Sequence, residues 1–152
     1  MSGRSIIIAA NPYFFYYHSG NNKYGDVEAH RSYLRDRGKV FWCVASRRDV
    51  GRPWSYPDIE RGYFYIPKEK SIRYVFHIER IARLREFGSE FDEFVPPWRK
   101  TYWHGRRHKH DFGFLIDEIE SVSPELTLQD FVLANNNKTV RRVQNYVIAV
   151  EK

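Results

Sequence analysis

A chain of 152 residues with 25 Lys and Arg, 19 Asp and Glu, one Cys and 17% aromatic residues fits a single compact domain spanning 1–152. Its 42% hydrophobic share excludes a disordered tail, and the lone Cys43 excludes an internal disulfide or a Cys-based zinc site. The longest apolar run near the start, Ile6 to Ala10, is far short of the roughly 20 residues that cross a bilayer and too short for a secretory signal, so a cytoplasmic protein with no membrane partner is expected.

In chain order, Ser5 to Ala10 reads as a buried strand ending at the Asn11-Pro12 breaker. A Tyr/Phe-rich loop, Tyr13 to Tyr17, and a Gly/Asn turn at Gly20 to Asn22 lead to a helix. Asp26 is its candidate N-cap, Val27, His30, Tyr33 and Leu34 share one face, and Gly38 sits at the C′ position. Lys39 to Ser46 (KVFWCVAS) is apolar and β-prone, a central strand. Arg47 to Glu60, with Gly51, Pro53 and Pro57, is a loop. Tyr63 to Pro67 and Ile72 to Arg83 form a hairpin whose second arm puts Ile72, Tyr74, Phe76 and Ile78 on one side. Glu86 to Lys109 is predicted as one long loop, and Phe112 to Val122 as a strand. Leu126 to Leu133 fits helix or strand, Asn135 to Lys138 is a polar turn, and Val143 to Val150 is a closing strand. Five or six strands with one or two short helices, in non-alternating order, predict an α+β domain on a curled, mainly antiparallel sheet.

The net charge of +6 is unevenly spread. Trp98 to His110 reads WRKTYWHGRRHKH, with Arg99, Lys100, Arg106, Arg107 and Lys109 and no acid; Lys138, Arg141 and Arg142 form a second basic group. Acids concentrate in Glu86 to Glu93 and Asp117 to Asp130. A basic face and an acidic face follow, and the basic one suits phosphates. Trp98 and Trp103, interleaved with the basic run, either pack on the core or line an aromatic cage that stacks a planar base and contacts a methyl.

The segments KVFWCVAS, VPPWRKTYWHG followed by DFGFLIDEIESV, and LTLQDFVLANNNKTVRRV resemble, in order and spacing, blocks of the YTH domain, a PUA-like reader of N6-methyladenine. The hairpin and Trp54 are also similar to the sister EVE domains, some of which read modified cytosines. The resemblance implies a PUA-like sheet or small barrel of five to six strands flanked by short helices. It implies a cage of Trp42, Trp98 and Trp103, with Trp42 and Trp103 on the two faces of a flipped adenine and Trp98 against the methyl. Asn11 and Ser46 stand by position where base-edge contacts fall, and Arg99, Lys100, Arg106, Arg107, Lys109, Lys138, Arg141 and Arg142 are the candidate phosphate ligands. The implied partner is methylated RNA or DNA, as a single strand or a flipped base, with no cofactor and no catalytic residue. Modules of this kind also occur in McrBC-type restriction systems, which makes an effector nuclease or NTPase a further candidate partner.

Rival readings use other residues. His104, His108 and His110 have spacings that suit a metal, but they sit among cations with only Asp111 as a nearby carboxylate, which disfavours a site. Cys43 reads as a small buried hydrophobe, and for His77, with Glu79 on the same strand face, surface cross-strand pairing is the ordinary explanation rather than an acid/base pair. A nuclease would cluster carboxylates in a basic cleft, which the sequence does not do. A methyl-lysine cage would need an acidic rim beside Trp98 and Trp103, where the chain is basic. A general RNA-binding PUA-like domain is the remaining alternative.

Overall fold

The computed structural model describes residues 3–10, 25–44, 52–83, 86, 88–96 and 112–152. The elements are β1 (Ser5–Ala9), α1 (Gly25–Arg37), β2 (Val40–Val44), a 3-10 turn (Pro53–Ser55), β3 (Arg61–Ile66), β4 (Ser71–Arg83), α2 (Ser89–Phe94), β5 (Phe112–Leu126), a second 3-10 turn (Leu128–Asp130), β6 (Phe131–Leu133) and β7 (Tyr146–Glu151). The strands form one seven-stranded sheet in the order β2-β5-β4-β3-β1-β7-β6. β1 pairs parallel with β3, and the remaining pairs are antiparallel.

β1 explains its own sequence. It is hydrogen-bonded on both edges and covered on both faces, so Ile6, Ile7 and Ile8 are all 0–1% exposed and a continuous apolar run is required. Ile6 and Ile8 point into the larger core cluster with Trp42, Phe64, Phe76, Phe114 and Tyr146, over which α1 lays Val27. Ile7 points the other way, to Tyr63, Phe131, Val140 and Val147. A third cluster of Phe41, Cys43, Ala82, Val95 and Leu115 lies with the partly buried Phe94 of α2.

The sheet is curled. Trp42 on β2 and Phe64 on β3 are three strands apart in the order, and Phe112 on β5 and Tyr146 on β7 are four apart. A flat sheet would separate such strands by roughly 14 and 19 Å, at about 4.8 Å per strand. Their rings instead sit 4.6 and 5.4 Å apart across the concave side. Register shifts at Phe64/Tyr65 in β3 and at three places between β4 and β5 supply the extra twist such a bend needs.

Several expectations change. β2, expected as a central strand, stands at the end of the strand order and, among the described residues, pairs only with β5; its burial comes from the curl and from α1 rather than from a second neighbouring strand. The sheet has seven strands rather than five or six, because Phe131–Leu133 forms a strand of its own after the 3-10 turn. There the Thr127 backbone N–H donates to Asp130 Oδ2 at 2.8 Å and closes a capping box, so Leu126 to Leu133 is neither one helix nor one strand. Glu86 to Lys109 is not all loop, since Ser89–Phe94 is helical. β5 runs to Leu126, beyond Val122, and β7 begins at Tyr146 rather than Val143, after Asn145 adopts φ 66°. Asp26 falls inside α1 rather than before it. Gly38 is the expected cap: its φ is 85° and its N–H donates to the Leu34 carbonyl at 2.7 Å. Among the described residues no helix is long and apolar enough to cross a membrane.

Candidate nucleic-acid interface

Trp42 is paired with Phe114 across β2 and β5, and its side chain points into the concave core. α1 covers that side, and the His30 ring, itself fully buried, lies 4.3 Å from the Trp42 ring, with Phe64 at 4.6 Å on the neighbouring flank. Only 2% of Trp42 is exposed. A base stacks on this ring only after a covering side chain moves away, so as placed Trp42 is a core brace rather than an open cage wall. Trp54 is half-buried on the first 3-10 turn, 4.9 Å from Phe112. Trp98, Trp103, Asn11, Ser46, Arg99, Lys100, Arg106, Arg107 and Lys109 lie outside the described residues, as do His104, His108 and His110.

The second basic group is described and well fixed. From Leu133 the chain turns back on β6: the Asn137 N–H donates to the Leu133 carbonyl at 2.9 Å, and the Leu133 N–H to the Lys138 carbonyl at 2.7 Å. The Asn136 side chain accepts from the Lys138 N–H at 2.9 Å, the short Asx turn that Asn favours, and Asn137 takes φ 59°. Val140 then plugs the outer core at 1% exposure, with its N–H on the Phe131 carbonyl. Lys138 before this anchor and Arg141 and Arg142 after it are all exposed.

These three cations differ from many others on the surface. Arg4 pairs with Asp58, Arg31 with Glu28, Lys39 with Glu79, Arg73 with Glu69 and Glu125, Arg80 with Glu90 and Arg83 with Glu86. Among the described residues no carboxylate pairs with Lys138, Arg141 or Arg142. Their positive field is therefore available to an outside anion.

Acids gather on the outward face of β4 and β5, a feature the sequence signals only as the acid-rich run from Asp117. His77 Nδ1 lies 2.7 Å from Asp117 Oδ1, so His77 partners Asp117 rather than Glu79, whose carboxylate accepts from Lys39 Nζ at 2.8 Å. The Glu79 hydrogen bond raises the Lys39 pKa. Glu118 is held above its ordinary carboxyl pKa, first by a hydrogen bond with Glu120 and by its repulsion, then by partial desolvation and by Asp117.

Cys43 is 2% exposed, as a small hydrophobe should be. Among the described residues no three His, Cys, Asp or Glu side chains are placed to share a metal ion. Compared with protein-family models, with curated proteins and with solved structures, the chain matches none.

Proposed function

We propose that the protein binds nucleic acid through the 138–142 turn and takes up a modified base, N6-methyladenine before modified cytosine, without catalysing a reaction. The observation that carries the binding half is the fixed turn bearing three exposed cations that no described carboxylate neutralises. The modified-base half rests on the Trp42, Trp98 and Trp103 spacing and its resemblance to the YTH domain. In this reading Trp98 and Trp103 receive the base and Trp42 backs the pocket from the core; a sandwich on Trp42 itself requires its ring to uncover. Flipping from duplex costs a few kcal/mol, which favours single strands. The burial of Trp42 favours a second reading, a phosphate-binding domain without base selectivity.

The test is fluorescence-polarisation binding of single- and double-stranded RNA and DNA carrying adenine, N6-methyladenine, cytosine or 5-methylcytosine across a salt series. Replacing Lys138, Arg141 and Arg142 together by alanine should lower the salt slope on single strands by about 2, at roughly 0.7 per lost phosphate contact. An unchanged slope would remove the turn from the interface. The methyl should be worth about fivefold in affinity, the value of one buried methyl group, and Trp98→Ala should abolish that preference. Equal binding of methylated and unmethylated strands by the unmodified protein would leave only the second reading.

A further inference from the structure

The outward face of β4 and β5 carries a groove. Here His77 stands opposite Glu118 and Val75 opposite Glu120. The groove has a volume of about 520 Å³. Its apolar base includes the buried Tyr63 and the half-buried Val75, and its rim carries Glu60, Glu118, Glu120 and Glu151 against the cation Arg61, with His77 beside them. It continues towards the chain start in a second hollow of about 340 Å³ that shares Glu60, Arg61, Tyr63, His77 and Glu151 and adds the Arg4–Asp58 pair.

We propose that this groove docks an extended, basic segment of a partner protein, with its cations against the glutamates and its apolar side chains on Tyr63 and Val75. The inference does not rest on the nucleic-acid reading. Three observations support it. First, the rim carries four glutamates on a chain whose net charge is +6, so the groove complements a cation. Second, Glu118, Glu120 and Val122 are alternate residues of one strand and line the same groove. Their repeat of roughly 6.6 Å is the spacing of alternate side chains in an extended peptide laid alongside. Third, the Glu118 and Glu120 carboxyls crowd each other, and a cation set between them removes that repulsion. Among the described residues no three carboxylates are placed to share a metal ion, which suits an extended partner rather than a single metal.

The probe is a fluorescein-labelled heptapeptide of alternating Lys and Val. Two peptides are compared with it: one with Glu in place of Lys, and one of the same composition with the lysines clustered at one end. The alternating Lys peptide should bind and the Glu peptide should not. Glu118→Gln with Glu120→Gln should weaken binding by about fivefold to tenfold, the loss of two partly exposed ion pairs. Both positions are exposed, so the doubly substituted protein should melt as the unmodified one does. Alanine at Lys138, Arg141 and Arg142 should leave peptide binding unchanged. Absence of binding, or equal binding by the glutamine variant, would overturn the proposal, as would equal affinity for the clustered peptide. Weaker binding of a single-stranded oligonucleotide to the glutamine variant would overturn it too, by assigning the groove to nucleic acid.

Discussion

Replacing Trp42 by alanine should cost about 3–5 kcal/mol of folding stability, the range for deleting a large buried aromatic side chain. A domain of this size has about 5–15 kcal/mol in all, so the melting temperature should fall by roughly 10 °C or more. The reason is positional. Trp42 is 2% exposed, packed against His30 from α1 and Phe64 from β3, and so joins the helix to strands that are not its neighbours in the sheet. Removing it opens a cavity between the helix and the sheet, lined by His30 and Phe64. Thermal unfolding of Trp42→Ala and Trp42→Phe decides the matter, with phenylalanine expected to keep well over half of the lost stability because an aromatic ring still spans the gap. The opposite outcome is equally informative. A loss below about 1 kcal/mol in Trp42→Ala, typical of surface substitutions, accompanied by loss of methyl selectivity, would make Trp42 an accessible cage wall and contradict its placement as a core brace.

Gly62→Ala should be the second large effect, and for a different physical reason. Gly62 on β3 pairs directly with Phe76 on β4, and the ring of Phe76 lies back across the glycine. A Cβ built on Gly62 would fall on the ring carbons, far inside van der Waals contact. Phe76 has little room to yield: it is 1% exposed, with Phe64 at 4.4 Å and Phe114 at 6.5 Å between ring centres. Overpacking of this kind costs about 1–3 kcal/mol, and a site boxed in by aromatic rings belongs at the upper end. A double-mutant cycle checks the cause. In a Phe76→Leu background the smaller side chain vacates the space, so Gly62→Ala should cost less than 1 kcal/mol there. If the two substitutions are additive, contact with Phe76 is not what makes glycine necessary.

Much of the sheet was legible because local pattern and burial agree. The unbroken apolar run of β1 announced a strand covered on both faces, and the alternation of Tyr74, Phe76 and Ile78 announced one buried side of β4, whereas Ile72, expected with them, packs in the other cluster beyond a register shift. Gly38 marked the end of α1 because only a residue free to take positive φ closes a helix in this way. Expectations slipped where the pattern is short. Phe131–Leu133 is only three residues long and gains its pairing from β7, which no periodicity in those residues reveals. The Asn135 to Lys138 turn was readable from residue type, since Asn satisfies its own backbone locally.

By itself the sequence determined the strand-rich class, the helix with its C-terminal cap at Gly38, and the basic turn. Tertiary structure alone decided which of those charges remain available and which aromatics are accessible. Arg4 is neutralised by Asp58 and Lys39 by Glu79, partners 54 and 40 positions away, whereas Lys138, Arg141 and Arg142 meet no such partner among the described residues. Whether a tryptophan packs in a core or faces a ligand follows from which strands the curl brings together, as Trp42 and Phe64 show across three positions of the sheet. Local propensity depends on near neighbours along the chain, while neutralisation and burial depend on side chains that only the closed sheet makes adjacent.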